Sequence, residues 1–229
     1  MLNRIKKRLA WQRDLDLSHQ DRIEKWGHRV YIGAVDSETW YGIGKRQYHF
    51  LTSQGLTADH RFIDIACGSL RLGQFLIPML KEGAYFGLEG EPKLVEVGLE
   101  KEFLFDIAQR KKPVFAYNYD FDFSRFANFE YAMAQSLFTH LTLDDIERCF
   151  RNLATKAHAG SRFYSTFFEG DPANNPDGAS HANKDWYYRF SQFEEIAAQT
   201  NWRLEYIGDW GHERGQKMIC ATIDPAAAG

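Results

Sequence analysis

Four carboxylates, one glycine and three histidines stand within or just after short apolar runs, and these residues could do chemistry. Asp64 lies inside "RFIDIAC", four residues before Gly68, where it can brace a turn or reach a ligand amine. Glu89 closes "AYFGLEG", where one carboxylate can accept both hydroxyls of a ribose. Asp120 follows a third run within "PVFAYNYDF", where it can meet an adenine amino group; Asn118 and Asp122 compete for that task. His140 lies past a fourth run, Glu169 and His181 past a fifth, and His212 in a turn past a sixth. A histidine so placed can act as a general base, and a loop or packing role is the alternative for each.

These positions converge only if the runs are strands of one sheet. The patterning predicts strands over 61–67, 84–90, 113–121, 129–138 and 161–168, with helices over 70–80, 91–110 and 141–159 between them. Leu94, Val97, Phe103, Leu104 and Ile107 form the apolar set of the helix over 91–110, and Thr142 is the expected cap of the helix over 141–159. A loop rich in Gly, Pro and Asn spans 169–185, and a helix over 186–200 follows. The chain then reads as two strands, 203–210 and 216–223, joined by "GHERG".

Strands alternating with helices imply parallel pairing, hence an α/β, Rossmann-like doubly wound sheet. The five residues of "GHERG" cannot hold a crossover helix, so the last strand must run antiparallel. Residues 1–58 read as an N-terminal helical extension, with a helix over 40–51 ending at Gly55, and residues 59–229 as the sheet domain. Ligands of open α/β sheets bind beyond the carboxyl ends of the strands. All the residues above belong to that edge.

The first turn, "ACGSLRLG", decides which nucleotide fits. With Gly68 as the middle glycine of G-x-G-x-x-G, the flanking positions hold Ala66 and Arg71, and Gly73 is out of register. No P-loop sequence occurs anywhere in the chain. The glycine spacing and the closing hairpin both oppose an NAD-dependent oxidoreductase. A ligand without phosphates suits this turn better.

The order Asp64, Gly68, Glu89, Asp120 resembles that of class I S-adenosylmethionine-dependent methyltransferases, and the likeness covers roughly residues 55–222. "CGSLRLG" is similar to the turn of a subgroup of small bacterial members with Cys-Gly-Ser-Leu-Arg. The resemblance implies S-adenosyl-L-methionine as cofactor and S-adenosyl-L-homocysteine as product. It makes "DIACG" the cofactor turn, with Asp64, Ala66, Cys67 and Gly68. "YFGLEG" supplies the ribose carboxylate Glu89 with Gly90, and "NYDF" places Asp120 and Phe121 at the adenine. In "FEYAMAQSLFTHL", residues 134–136, including Gln135 and Ser136, flank the methionine portion, and Gly160 leads into the fifth strand. The chain departs from the pattern at Ala66 and at Leu70, where members commonly carry glycine.

Methyl transfer from a sulfonium needs alignment in a dry pocket, and for a hydroxyl or ammonium acceptor it needs a base. His140, His181 and His212 are the candidate bases; Trp40, Tyr41, Trp186 and Tyr187 are candidate walls of the acceptor pocket. The N-terminal segment is expected to cover the site. No N-P-P-[YF] sequence follows the fourth strand, and a net charge of −3 carries no basic stripe outside the extreme N-terminus. A metabolite, sugar or lipid-linked compound is therefore the expected acceptor, rather than nucleic acid. A non-catalytic subunit with this fold is the alternative, prompted by Ala66 and Leu70.

Composition bounds the rest. The 229 residues, 44% hydrophobic and 26% charged, suit one globular domain with a modest extension. Aromatic content of 15% points to a large core or a pocket walled by flat rings. Three scattered cysteines, with no C-x-x-C, indicate neither a metal site nor a disulfide framework, and fit a reducing cytoplasm. No apolar run approaches a membrane span. "MLNRIKKRLAWQR" reads as a basic amphipathic helix that docks on the body, on a second subunit of a homodimer, or on an anionic surface.

Overall fold

The computed structural model describes residues 14, 16–34, 36–104, 106–181 and 184–223. The basic helix expected over 1–13 lies outside the described residues. Eight strands form one sheet in the order β3-β2-β1-β4-β5-β8-β7, with β6 paired to β5 off that path. They are β1 (Phe62–Ile65), β2 (Tyr85–Glu89), β3 (Val114–Tyr117), β4 (Tyr131–Ala134), β5 (Arg162–Glu169), β6 (Tyr187–Tyr188), β7 (Trp202–Asp209) and β8 (Lys217–Ile223). β1 to β5 run parallel, and β8 is antiparallel to β5 and β7, as the short closing turn requires. Strand order reverses between β1 and β4, which makes their carboxyl ends the switch point.

β1, β2 and β4 are buried along their whole length, as parallel strands covered on both faces must be. Alternation divides β1 between two cores. Ile63 and Ile65 join an aromatic cluster with Phe138, Phe150, Phe163, Phe167 and Trp202, beneath helices α7 (Leu143–Ala154) and α8 (Phe190–Gln199). Phe62 joins Leu51, Leu76, Ile77 and Val95 on the other face, under α3 (Ser37–Ser53), α4 (Gly73–Met79) and α5 (Pro92–Lys101). Asp64, two residues on, belongs to that second face and is 5% exposed. Two short helices, α1 (His19–Trp26) and α2 (His28–Tyr31), precede α3.

Several elements differ from expectation for local reasons. The helix predicted over 91–110 is two, α5 and α6 (Ile107–Lys111). Its apolar residues do not share one face: Leu104 is 75% exposed, whereas Phe103 and Ile107 pack on the core. Glu102, at the break, is drawn to His28 Nε2 and to Arg29, each at 2.6 Å. The helix predicted from Leu70 starts only at Gly73, because Leu70 has φ +67°. β3 stops at Tyr117 and β4 at Ala134, where left-handed residues and turns take over. Residues 187–188 pair with β5, so the following helix begins at Phe190. Thr142 holds the N-cap position of α7, but its side chain makes no capping bond. Among the described residues, no helix is long and apolar enough to cross a membrane, and no cluster could ligate a metal.

Candidate functional site

Backbone strain marks the site. Ala66, Leu70, Phe121 and Ser136 have φ of +57°, +67°, +57° and +57°, and all four lie just beyond the carboxyl ends of β1, β3 and β4. A side chain in this region costs roughly 1–2 kcal/mol, and such strain concentrates where function fixes a turn. Ala66 and Leu70, the two departures from glycine, thus keep the left-handed course that glycine would favour. Gly68 between them has φ +56°, with only Ile32 nearby at 3.5 Å from where a Cβ would be.

An acidic half lies over β1 and β2. Glu89, 9% exposed, accepts the Gly68 N–H on Oε2 at 2.8 Å and the Glu91 N–H on Oε1 at 3.0 Å. It thereby ties the carboxyl end of β2 to the turn after β1. Burial raises its pKa, and the backbone donors oppose that rise. Asp64 Oδ2 accepts from Tyr85 Oη at 2.6 Å. Its pKa is pushed up to about 7, first by burial and then by the Glu89 charge, against the Tyr85 bond and Arg71. The Tyr119 ring lies across Gly90, 2.3 Å from where a Cβ would stand, and its hydroxyl donates to Glu91. A side chain at 90 would push that exposed ring aside. α1 and α2 cover this half: His19 meets Tyr31 and lies 3.6 Å from Glu91, and Ile32 sits over Gly68.

A donor-rich half lies over β4, β5 and the β7–β8 turn. Gln135 Oε1 accepts from Arg71 Nη2 at 3.0 Å and from Gln47 Nε2 at 3.4 Å. Its Nε2 donates to Ser136 Oγ and to Gln216 Oε1, the latter at 3.3 Å, and lies 3.2 Å from His212 Nε2. Thr166 Oγ1 accepts from Ser136 N at 2.8 Å and donates to Gln216 Oε1 at 2.9 Å. His212, 7% exposed, stacks on Trp210 and accepts the Arg214 N–H on Nδ1 at 3.2 Å. Burial first, then Arg71, Arg46 and Arg214, push its pKa down to about 4, so the ring is neutral at pH 7. Burial also pushes the Arg71 guanidinium down to about 10, still a cation at neutral pH.

The fold brings Asp64, Ala66, Gly68, Glu89, Gly90, Gln135, Ser136 and His212 to one sheet edge. β7 is the edge strand, and the β7–β8 turn folds back from that margin to bring His212 Nε2 to 3.2 Å from Gln135 Nε2. The Cys67 thiol is buried in the core under α3, α4 and α5, and burial raises its pKa, which leaves its backbone for the turn. Phe121 is 7% exposed and packs in the aromatic core, with Phe123, Phe126 and Phe129. Asp120 is exposed beyond β3; Asn118 and Asp122 close the loop around it by mutual bonds of 3.1 and 2.9 Å.

Of the histidines, His140 Nδ1 donates to the Lys184 carbonyl at 2.7 Å, which leaves Nε2 as its basic nitrogen; burial lowers its pKa. His181 is exposed. Trp40 and Trp186 are core residues, at 0% and 3% exposure, and not pocket walls; Tyr41 and Tyr187 remain partly exposed. Sequence reasoning missed Arg46, Gln47, Thr166, Tyr31 and Gln216. Arg71 stood in the quoted turn without a role, and its charge inside an apolar run was a readable signal.

No family model and no curated protein matches this chain. Solved structures do. The glycopeptide N-methyltransferase MtfA aligns with TM-score 0.61 at 11% identity, over 79% of this chain and 90% of its own. An S-adenosylmethionine-dependent methyltransferase from Clostridium acetobutylicum ATCC 824 aligns with TM-score 0.60 at 12% identity, over 90% and 99%. Magnesium protoporphyrin IX methyltransferase (ChlM) from Synechocystis PCC 6803, with bound SAH, aligns with TM-score 0.62 at 13% identity, over 89% and 97%. At these identities the likeness establishes a shared fold.

Proposed function

We propose that this chain is an S-adenosylmethionine-dependent methyltransferase acting on a small-molecule acceptor, with residues 59–229 holding the cofactor and residues 1–58 covering it. The Glu89–Gly68 bridge at the switch point carries the reading. The Glu89 carboxylate accepts the Gly68, Gly90 and Glu91 N–H groups there and retains a lone pair for a ribose hydroxyl. The solved methyltransferases with this fold, one of them with SAH bound, support it.

In this reading Glu89 takes the ribose, Asp64 the amine of the methionine portion, and Asp120 the adenine amino group. Gln135 and Ser136 flank the methionine portion, and Gly68 lets the backbone approach. When bound, the cofactor supplies a methyl on a sulfonium, and the sulfur keeps the bonding pair as the acceptor nucleophile takes the methyl. His140 Nε2 receives the acceptor's proton where one is lost. The non-catalytic alternative rested on Ala66 and Leu70, whose left-handed backbone supports an intact turn.

Calorimetric titration tests this. The protein should bind SAM and SAH in the micromolar range, and Glu89→Ala should weaken both by about 2 kcal/mol, roughly thirtyfold, as expected for a buried charged hydrogen bond. Absence of binding to either ligand would overturn the proposal. Mass spectrometry of a cell extract incubated with labelled donor then identifies the acceptor.

A further inference from the structure

We propose that the methyl acceptor carries a compact oxyanion, a carboxylate or a phosphate, received by Arg46 and Arg214 beside Arg71 and His212. This rests on the methyltransferase reading and adds the substrate class.

The donor half of the site leaves two buried donors without a partner, Arg46 Nη1 and Trp210 Nε1, against one such acceptor, Gln47 Oε1. Arg46, on α3, is half-buried, and its Nη1 is fully buried with no hydrogen-bond partner. Among the described residues no carboxylate pairs with it. A Cβ at Gly211 would stand 3.9 Å from Arg46 Nε, so the guanidinium lies against the β7–β8 turn. Arg71 spends one nitrogen on Gln135, and among the described residues the acid that acts on its charge is Asp64, which is already bonded to Tyr85. Arg214, in the β7–β8 turn itself, pairs with Asp185 at 2.9 Å and lies 4.7 Å from the Phe168 ring centroid. Trp210, whose ring stacks on His212, adds a buried indole N–H without a partner.

A guanidinium held away from water without an anion is costly, and its planar fork matches a carboxylate or phosphate in two parallel bonds. The neutral imidazole of His212 fits the same picture, because burial first and then three guanidiniums disfavour a further proton there. On this side Asp185 is the acid, and it meets Arg214 alone of the three guanidiniums; Asp64, Glu89 and Glu91 belong to the other half and are engaged by Tyr85, backbone N–H groups and Tyr119. An anion would therefore enter on the α3 and β7–β8 side, next to Gln135 and Ser136. That is where an acceptor must lie to meet a methyl group held between β1 and β4.

The test uses the full chain saturated with SAH and titrated with inorganic phosphate, read by tryptophan fluorescence. Saturable binding is expected, weakened tenfold or more by Arg46→Gln, partly retained by Arg46→Lys, and unchanged by Arg110→Gln on exposed α6. Equal phosphate affinity in wild type and Arg46→Gln would overturn the proposal. So would a loss of SAH affinity in Arg46→Gln with binding of 5′-methylthioadenosine intact. That ligand lacks the methionine carboxylate, so the pattern would assign Arg46 to the cofactor. If wild type fails to bind SAH, the methyltransferase reading fails instead, and phosphate titration of the unliganded variants still decides the anion site.

Discussion

The two halves of the sheet edge are built on opposite principles. Over β1 and β2, Glu89 and Glu91 are tied to Gly68 and to Tyr119, and Asp64 to Tyr85, so the acids are held by the chain's own donors. Over β4 and the β7–β8 turn, Gln135 gathers two donors on one oxygen while Arg46 Nη1 and Trp210 Nε1 find no acceptor. One half is closed on itself; the other keeps two buried donors without a partner. Their covers differ too. α1 and α2 lie over the acidic half, and α3 lies beside the donor half.

The largest effect should come from loosening the first cover. The Glu102 side chain, 2% exposed, pairs with His28 and Arg29 and so fastens α2 to the end of α5. Removing one member of a buried ion pair strands its partners, and Glu102→Ala should cost about 3 kcal/mol. Hydrogen exchange should rise in α1 and α2, and SAH affinity should fall with it, while protection around Gln135 persists. Equal loss of protection in both halves would dissolve the distinction between their covers.

Next is the titration of Asp64. Its folded-state pKa, about 7, stands above the ordinary value of 3.8, so the folded protein holds the proton more tightly than the unfolded chain. Its contribution is fully present below about pH 4 and is lost as pH rises through 7. Between those limits wild type should lose at least about 2 kcal/mol relative to Asp64→Asn, in paired denaturant titrations. A constant difference across that range would mean that Asp64 is already ionised and the acidic half is more solvated than its burial indicates.

The smallest effect concerns the turn both halves share. Ala66→Gly should relieve the left-handed strain at φ +57°, partly cancelled by the greater freedom of glycine in the unfolded chain. A net stabilisation of about 0.5 kcal/mol is expected from thermal unfolding, with SAH affinity unchanged. Destabilisation would show that the Ala66 methyl packs against something the turn needs.

Much of the acidic half was legible because it is local. Asp64, Gly68 and Glu89 each fall where an apolar run meets a turn, and strand–turn–helix units place such residues at one edge. The break in the predicted helix over 91–110 was not legible, since it depends on Glu102 meeting His28 and Arg29 from a distant segment. Arg46 and Gln47 read only as polar positions of a helix, and His212 as a candidate base on the same edge with no partner named for it. No pattern in the chain says that these approach Arg71 and Gln135.

By itself the sequence determined the alternating strands and helices, the antiparallel last strand and the carboxylates of β1 and β2. Each follows from short-range periodicity, turn length and residue type. Only the tertiary structure decided the donor half, because α3, the first turn, β4 and the β7–β8 turn meet through strand order. Whether a guanidinium is left without an anion depends on what packs around it, and packing is a property of the assembled sheet.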